Sequence, residues 1–271
     1  MQRALGGTVP TALVLVGALV PVGALAQVPN VEGSGAPVLL AAGSLRAPMT
    51  EILAAWRATG GAEFKAEYGP SGKLRQEIEA GRTVDVFASA STDHTDALAR
   101  QGLLAAPQVF AYNDLCVVST PAVGLRADNL LEVLARPALR LATSTPVSDP
   151  MGDYTWQFFR NADKRQPGLF ALFEAKALKL SGATTPAPGA TTPYIAAFEQ
   201  KKADAYIMYC TNAVQTKAAL PELNVLRIPD ALNVRSAYAI GARKGSAAGA
   251  ALVRFVLGAE GRTILLHHGF H

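Results

Sequence analysis

The sequence predicts an α/β protein of two lobes, each a mainly parallel sheet flanked by helices, with two extended segments joining the lobes. Three observations carry this expectation. Three strand-then-helix units follow one another from residue 38, which implies a parallel sheet with helices on its faces. A longer extended run then leads away from them. A second extended run, near residue 234, brings two last helices back to where the chain began.

Val38 to Ala42 is a short apolar run with no helical period, broken by Gly43 and Ser44. From Pro48 onward Met49, Ile52, Leu53 and Trp56 fall at helical spacing. The pattern repeats: Phe64 to Tyr68 alternates as a strand does, Gly69-Pro70-Ser71-Gly72 turns, and Leu74 and Ile78 mark the inner face of a second helix. Val84 to Ala88 is the third strand, and Ser89 to Ser91 leads into a helix from about Asp93 to Gln101, stopped by Gly102. Two helix starts therefore open side by side, one at Ser44 and one at Ser71. Each offers a hydroxyl, backbone N–H groups and the positive end of a helix dipole, a setting that suits an anion.

Val109 to Val118 reads as one long extended run crossing between lobes, ended by Thr120-Pro121. Beyond it come a short helix from Asp128 to Leu134 with Asp128 as N-cap, a strand from Leu139 to Ala142, and a turn-rich loop from Thr143 to Gly152. A helix follows from Asp153, on which Tyr154 and Phe158 share a face. Pro186 to Pro193 is irregular and delivers a helix near Thr192, the strand Ala205 to Tyr209, and a short helix at Thr211-Asn212. Val234 to Gly241 is extended, and helices occupy Ala247 to Leu257 and Gly261 to His267. The lobes expected from this order are 37–112 with 238–271, and 113–237.

The first 26 residues are read apart. Arg3 is the only charge before Glu32, Ala12 to Val20 is apolar, and Ala24-Leu25-Ala26 precedes Gln27, the pattern of a secretory signal peptide. The apolar stretch is too short for a membrane anchor and is flanked by Pro10 and Pro21. Residues 27–36 are expected to be a flexible linker. The protein is therefore expected in the periplasm, with roughly 245 residues left to fold, enough for two lobes.

Lys and Arg number 25 against 21 Asp and Glu, for a formal charge of +4. No basic cluster interleaved with aromatics points to nucleic acid. The two cysteines, Cys116 and Cys210, are either bridged, as an oxidising compartment favours, or two buried thiols. Gly69 to Lys73 fails as a phosphate-binding P-loop, because Glu67 and Leu74 stand where that motif needs Gly and a hydroxyl. No Gly-x-Ser-x-Gly elbow occurs. Three of the four histidines crowd the C-terminus, which argues against a catalytic base or a protein-ligated metal ion. Arg46 and Tyr112 lie where either could reach a cleft.

Several phrases taken together resemble one family. Ala41-Ala-Gly-Ser-Leu45, Pro70-Ser-Gly72 with Leu74-x-Gln76-x-Ile78-x-x-Gly81, and Val84-Asp-Val-Phe-Ala-Ser-Ala90 are similar to segments of the molybdate-binding proteins of ABC importers. So are Ala203-Asp204 with Ile207-x-Tyr209-x-x-x-Ala213, and Glu260-Gly261 with His268-Gly-Phe270. They run in order over about residues 37 to 270. The resemblance implies a periplasmic-binding-protein type II fold with a two-strand hinge, closing on molybdate or tungstate; the alternatives are the same scaffold binding another oxyanion, a small organic anion or a metal complex, and an exported enzyme using the cleft, for which the sequence offers no nucleophile–base pair. The resemblance itself implies no catalysis and no cofactor, a monomer, and a membrane permease as partner. The family's first-lobe serines map onto Ser44 and Ser71, and its second-lobe tyrosine onto Tyr209. Backbone contacts fall near Met151 to Asp153, taken as Gly152 and Asp153, and at Thr191 or Thr192, taken as Thr191. The helix starts at Ser44, Ser71, Gly152 and Thr191 would then converge on the cleft. The chain departs from the family in Asp149 and Asp153, which sit close to the implied anion. Asp153 also has an ordinary role as a helix N-cap. A Cys116–Cys210 bridge bracing the cleft wall is expected ahead of metal ligation.

Overall fold

The computed structural model describes residues 35–271 except 186, 188 and 189. The expected signal peptide, and the expected linker up to residue 34, lie outside the described residues.

The first sheet is built from β1 (Val38–Ala42), β2 (Lys65–Gly69), β3 (Val86–Ser89), β4 (Gln108–Asn113) and β10 (Ser236–Ala242), in the order β2-β1-β3-β10-β4. The strand-then-helix units pair in parallel, as β1 with β2 and β1 with β3. The crossing strand β10 joins antiparallel to β3 and β4, so the sheet is mixed. Side chains alternate between two apolar layers. Leu39, Ala41, Val86 and Ala88 face Met49 and Ile52 of α1 (Arg46–Ala58) and Leu252 of α9 (Ala247–Leu257). Leu40 and Phe87 face Leu74 and Ile78 of α2 (Ser71–Glu79) and Leu98 of α3 (Thr92–Arg100). Covering both faces explains why β1 reads as a continuous apolar run, not an alternating one. Each of the Val, Leu, Ile, Phe and Met side chains among them contributes about 1.5–3 kcal/mol by leaving water. α10 (Ala259–His267) packs on α1 and α9, closing the C-terminus onto the first sheet.

The second sheet has the order β7-β6-β8-β5-β9, from β5 (Leu115–Ser119), β6 (Leu141–Ser144), β7 (Leu178–Ser181), β8 (Ala205–Tyr209) and β9 (Asn224–Arg227). Its pairings divide the same way: β6 is parallel to β7 and β8, and β5 is antiparallel to β8 and β9. Its helices are α4 (Leu130–Ala135), α5 (Pro150–Arg165), α6 (Leu169–Lys176), α7 (Pro193–Glu199) and α8 (Cys210–Ala219). Phe158 and Phe159 of α5 stack with Phe173 of α6 at 6.4 and 5.2 Å between ring centroids, all three fully buried.

Several local expectations change. The run from Val109 to Val118 is two strands in two sheets: Asn113 pairs with Ser236, whereas Leu115 pairs with Tyr209. Apolar content alone cannot show that the chain changes partners at Asp114. The return crossing runs from Arg227 to Ser236, and Asn233 clasps it to the first. Its carboxamide accepts from Leu115 N and donates to Leu115 O and Ile228 O. α4 starts at Leu130 with Asn129 at its N-cap, while Asp128 pairs with Arg126 instead. Strand β6 lies two residues beyond the expected Leu139–Ala142. α6, β7 and β9 were not anticipated, since their short runs lack a clear period.

Cys116 and Cys210 form a disulfide with Cα atoms 4.9 Å apart. It joins β5 to the first residue of α8, where the pairing of β5 with β8 brings the chain ends together.

Candidate functional site

A cavity of about 230 Å³ lies between the two sheets. One wall comes from the first strand-to-helix turns: Ser44, Arg46 and Tyr68, with Gly69 and Pro70. The other comes from Asp149 and Met151 at the start of α5, Ser181 at the end of β7 with Gly182 after it, Thr192 and Tyr194 at the start of α7, and Tyr209 at the end of β8. The walls touch at one edge, where Gly72 N and Lys73 N of α2 both donate to Ser148 O, at 3.0 and 3.3 Å. Contact this close requires glycine, because a Cβ on residue 72 would stand 2.2 Å from Val147 O. Val147 itself has φ of +68°, a strained conformation for a β-branched residue. Asp153 accepts its N–H at 2.8 Å.

Ser44 and Tyr209, two of the expected contacts, are brought together on this cavity. Ser71, Gly152, Asp153 and Thr191 are not among the described residues that line it. Ser71 is buried and its hydroxyl accepts from Ala90 N at 3.1 Å, fastening α2 to the loop after β3. The next N–H groups of α2 are taken up by Ser148 O. The expected convergence of four open helix starts is thereby corrected: two lobes in contact satisfy α2's donors with protein.

α5 and α7 supply their own caps. α5 begins at Pro150, with proline at N1 and Asp149 as N-cap accepting from Met151 N at 3.3 Å, so Asp153 is not the N-cap but lies in the first turn. Gly152 N is bonded to Asp149 O at 2.9 Å. Thr192 caps α7 by accepting from Ile195 N and lines the cavity, while Thr191 is exposed. The four implied contacts that miss the lining thus sit one or two residues from a neighbour that does line the cavity. No signal in the residues fixed that register.

What the cavity presents is hydroxyl-rich. Ser44 Oγ and Tyr238 Oη lie 2.9 Å apart. The hydroxyls of Tyr68 and Tyr209 are buried and make no hydrogen bond, Tyr68 reaching toward Thr50 without bonding geometry. Tyr209 reaches toward Ser236 and Tyr238 without bonding geometry to either. Burial pushes the phenols of Tyr68, Tyr194 and Tyr209 above their ordinary range, strongly so for the last two, and keeps them neutral donors. An unpartnered buried hydroxyl is costly, and such groups call for an explanation. Arg46 is the one cationic side chain among the described lining residues, its guanidinium 4.7 Å above the Tyr68 ring. Opposite it, burial raises the Asp149 carboxyl to about 6, against the lowering effect of its bonds from Ser144 Oγ and Met151 N.

Tyr112 lies outside the cavity lining. Its N–H bonds the carbonyl of His271, and its ring stacks on that histidine. Glu51, His267 and His268 also gather away from the lining residues, on the surface where α10 meets α1.

A family profile described as "Bacterial extracellular solute-binding protein" matches residues 38–271. The chain belongs to the bacterial extracellular solute-binding proteins. It is 38% identical over 209 residues to an uncharacterized protein, PM1146, of Pasteurella multocida, covering 75% of this chain and 86% of that one. It is 28% identical over 244 residues to the molybdate-binding protein ModA of Mycobacterium tuberculosis, covering 88% of this chain and 85% of that one. Among solved structures, the periplasmic molybdate-binding protein of Azotobacter vinelandii superposes with a TM-score of 0.67 at 20% identity, over 87% of this chain and 98% of that one. The sulfate-binding protein SubI of Mycobacterium tuberculosis gives 0.70 at 16%, over 86% and 85%. The solute-binding fold is therefore shared among proteins whose named ligands differ.

Proposed function

We propose that this solute-binding protein is exported to the periplasm, closes on a tetrahedral oxyanion, molybdate or tungstate, and delivers it as a monomer to the permease of an ABC importer. One observation carries the reading. Two tyrosines whose buried hydroxyls have no hydrogen-bond partner, Tyr68 and Tyr209, come from opposite lobes and line one cavity with Ser44 and Arg46. An anion there replaces its water with fixed hydroxyl donors, each charge-assisted bond contributing about 1.5–3 kcal/mol. Because it touches both walls, the anion favours the state in which they meet, a hinge closure selected by differential affinity. The 28% identity to ModA supports molybdate in particular. No covalent step is asked of any residue.

A second reading rests on size. About 230 Å³ is many times the roughly 10–15 Å³ that one water needs on the same measure, more room than the five heavy atoms of a bare tetrahedral oxyanion need. The same cavity then takes a larger organic anion. Thermal melting with molybdate, tungstate, sulfate and small organic phosphates separates the two. Ligand at a hundred times its Kd stabilises by about 2.7 kcal/mol. We expect molybdate and tungstate to raise the melting point and sulfate to leave it unchanged. A rise with organic phosphates alone refutes the first reading.

A further inference from the structure

We propose that Asp149 holds the bound oxyanion through one shared proton, so that the cavity admits only oxyanions basic enough to share it and discriminates against sulfate. This rests on the oxyanion reading above and deepens it.

Asp149 lines the same cavity as Ser44, Tyr68 and Tyr209. It is fixed there by its place at the N-cap of α5, by the bond from Ser144 Oγ and by Met151 N. Gly182 (φ +82°) presses against it: a Cβ on that residue would fall 2.7 Å from Asp149 Cβ, leaving the carboxyl little freedom to swing away. A dianion entering beside an ionised Asp149 places three negative charges in a space whose one lining guanidinium, on Arg46, stands on the opposite wall. The remaining charged and titratable neighbours do not help. Asp153, on α5, adds negative charge. Tyr194 of α7, Tyr206 and Tyr209 of β8 and Tyr238 of β10 face the carboxylate as neutral phenols, all raised by burial.

One proton changes the sign of the contact. Taken from solvent as a dianion enters, it sits between an Asp149 oxygen and an anion oxygen, and repulsion becomes a charge-assisted hydrogen bond. The only bond broken is that of the buffer acid or hydronium ion that gives up the proton, and the anion leaves with its charge unchanged when the proton returns to the solvent. An anion that already carries a proton, such as hydrogen phosphate, brings its own. Sulfate is too weak a base to share one at neutral pH, whereas molybdate and phosphate are stronger bases. Asp149 already sits near 6 without a ligand, so a neighbouring anion has only a short way to push it.

Titration calorimetry on the mature protein tests this, using molybdate and then phosphate between pH 6.5 and 8.5 in two buffers of different ionisation heat. We expect close to one proton taken up per molybdate at pH 7.5, fewer per phosphate, and molybdate affinity falling up to tenfold per pH unit. Asp149→Asn keeps an N-cap of equal quality and a donor toward the anion. It should abolish the proton uptake and bind molybdate at pH 8.5 at least tenfold more tightly than the wild type does. Wild-type binding with no proton uptake, or a pH slope that survives Asp149→Asn, overturns the shared proton and leaves the oxyanion reading standing. Binding of neither anion by either protein overturns both.

Discussion

The first wall of the cavity presents Ser44, Arg46 and Tyr68 from two successive strand-to-helix turns, while the second presents Asp149, Thr192, Tyr194 and Tyr209 from the ends of three separate segments. The first brings the cation, the second the carboxylate. They also differ in how their helices end. The N–H groups of α2 reach across to Ser148 O, so they are spent on holding the lobes together. Those of α5 and α7 are spent at home, on Asp149 and Thr192. A helix start near a cleft is therefore not the same thing as an anion site. What is left for a guest is the set of hydroxyls that found no protein partner.

The largest test of this contrast concerns how each wall is held. The second sheet carries the Cys116–Cys210 bridge, whose ends are 94 residues apart in sequence. The first sheet has none, because no other cysteine exists in the chain. Reduction, or Cys116→Ser with Cys210→Ser, should cost about 4 kcal/mol and lower the melting point by roughly 8–16 °C in calorimetry. An unchanged melting point would show the lobes to be equally self-supporting.

Acid should act on the two lobes with opposite signs. His94 of α3 is buried with both ring nitrogens unpartnered, and burial lowers it to about 4 from 6.5. The unfolded chain binds that proton first, so this stability is full above 6.5 and is lost as pH falls toward 4, by up to about 3 kcal/mol. Asp149 is raised to about 6 from 3.8, so its folded form holds a proton that the unfolded form has released. Its contribution is present below 3.8 and is lost as pH rises through 6, by a similar amount of about 3 kcal/mol. Denaturant unfolding at pH 7.5 and 4.5 should show His94→Leu removing the acid loss and Asp149→Asn removing the acid gain.

Binding sharpens the contrast further. Tyr209→Phe should weaken oxyanion binding by about 1.5–3 kcal/mol, ten- to a hundredfold, as a lost charge-assisted bond. The melting point without ligand should hold or rise, since the deleted hydroxyl has no partner. A loss of stability without a loss of affinity would make Tyr209 a packing residue. The smallest expected effect is at the seam. Gly72→Ala puts a methyl 2.2 Å from Val147 O and should hold the lobes ajar, weakening binding about tenfold, near 1.4 kcal/mol. Small-angle scattering with ligand should then show a larger radius than for the wild type.

Much of the first sheet was legible because its strands and helices are short, successive and regular. The apolar run at Val38, the stop at Gly43 and the spacing from Met49 each report a local preference that the fold keeps. The second lobe was harder. The proline at 150 starts a helix, and Asp149 rather than Asp153 is its cap, a difference of one turn that periodicity does not resolve. Ser44 and Tyr209 line the cavity, whereas Ser71 is turned to Ala90 N by a strand end that lies 19 residues away. Of the two side chains expected within reach of a cleft, Arg46 lines it and Tyr112 does not; Tyr68 and Tyr194 line it too, and nothing in their sequence neighbours marks them.

The strand-then-helix order of the first lobe, the existence of two crossings and the presence of two cysteines were determined by the chain alone, because each can be read from local sequence. Which donors remain open was decided only by the tertiary structure. A hydroxyl or N–H is free or satisfied according to what distant parts of the chain place against it: Ser148 O of the other lobe meets the N–H groups of α2, and Tyr238, 194 residues away on β10 of the same sheet, meets Ser44.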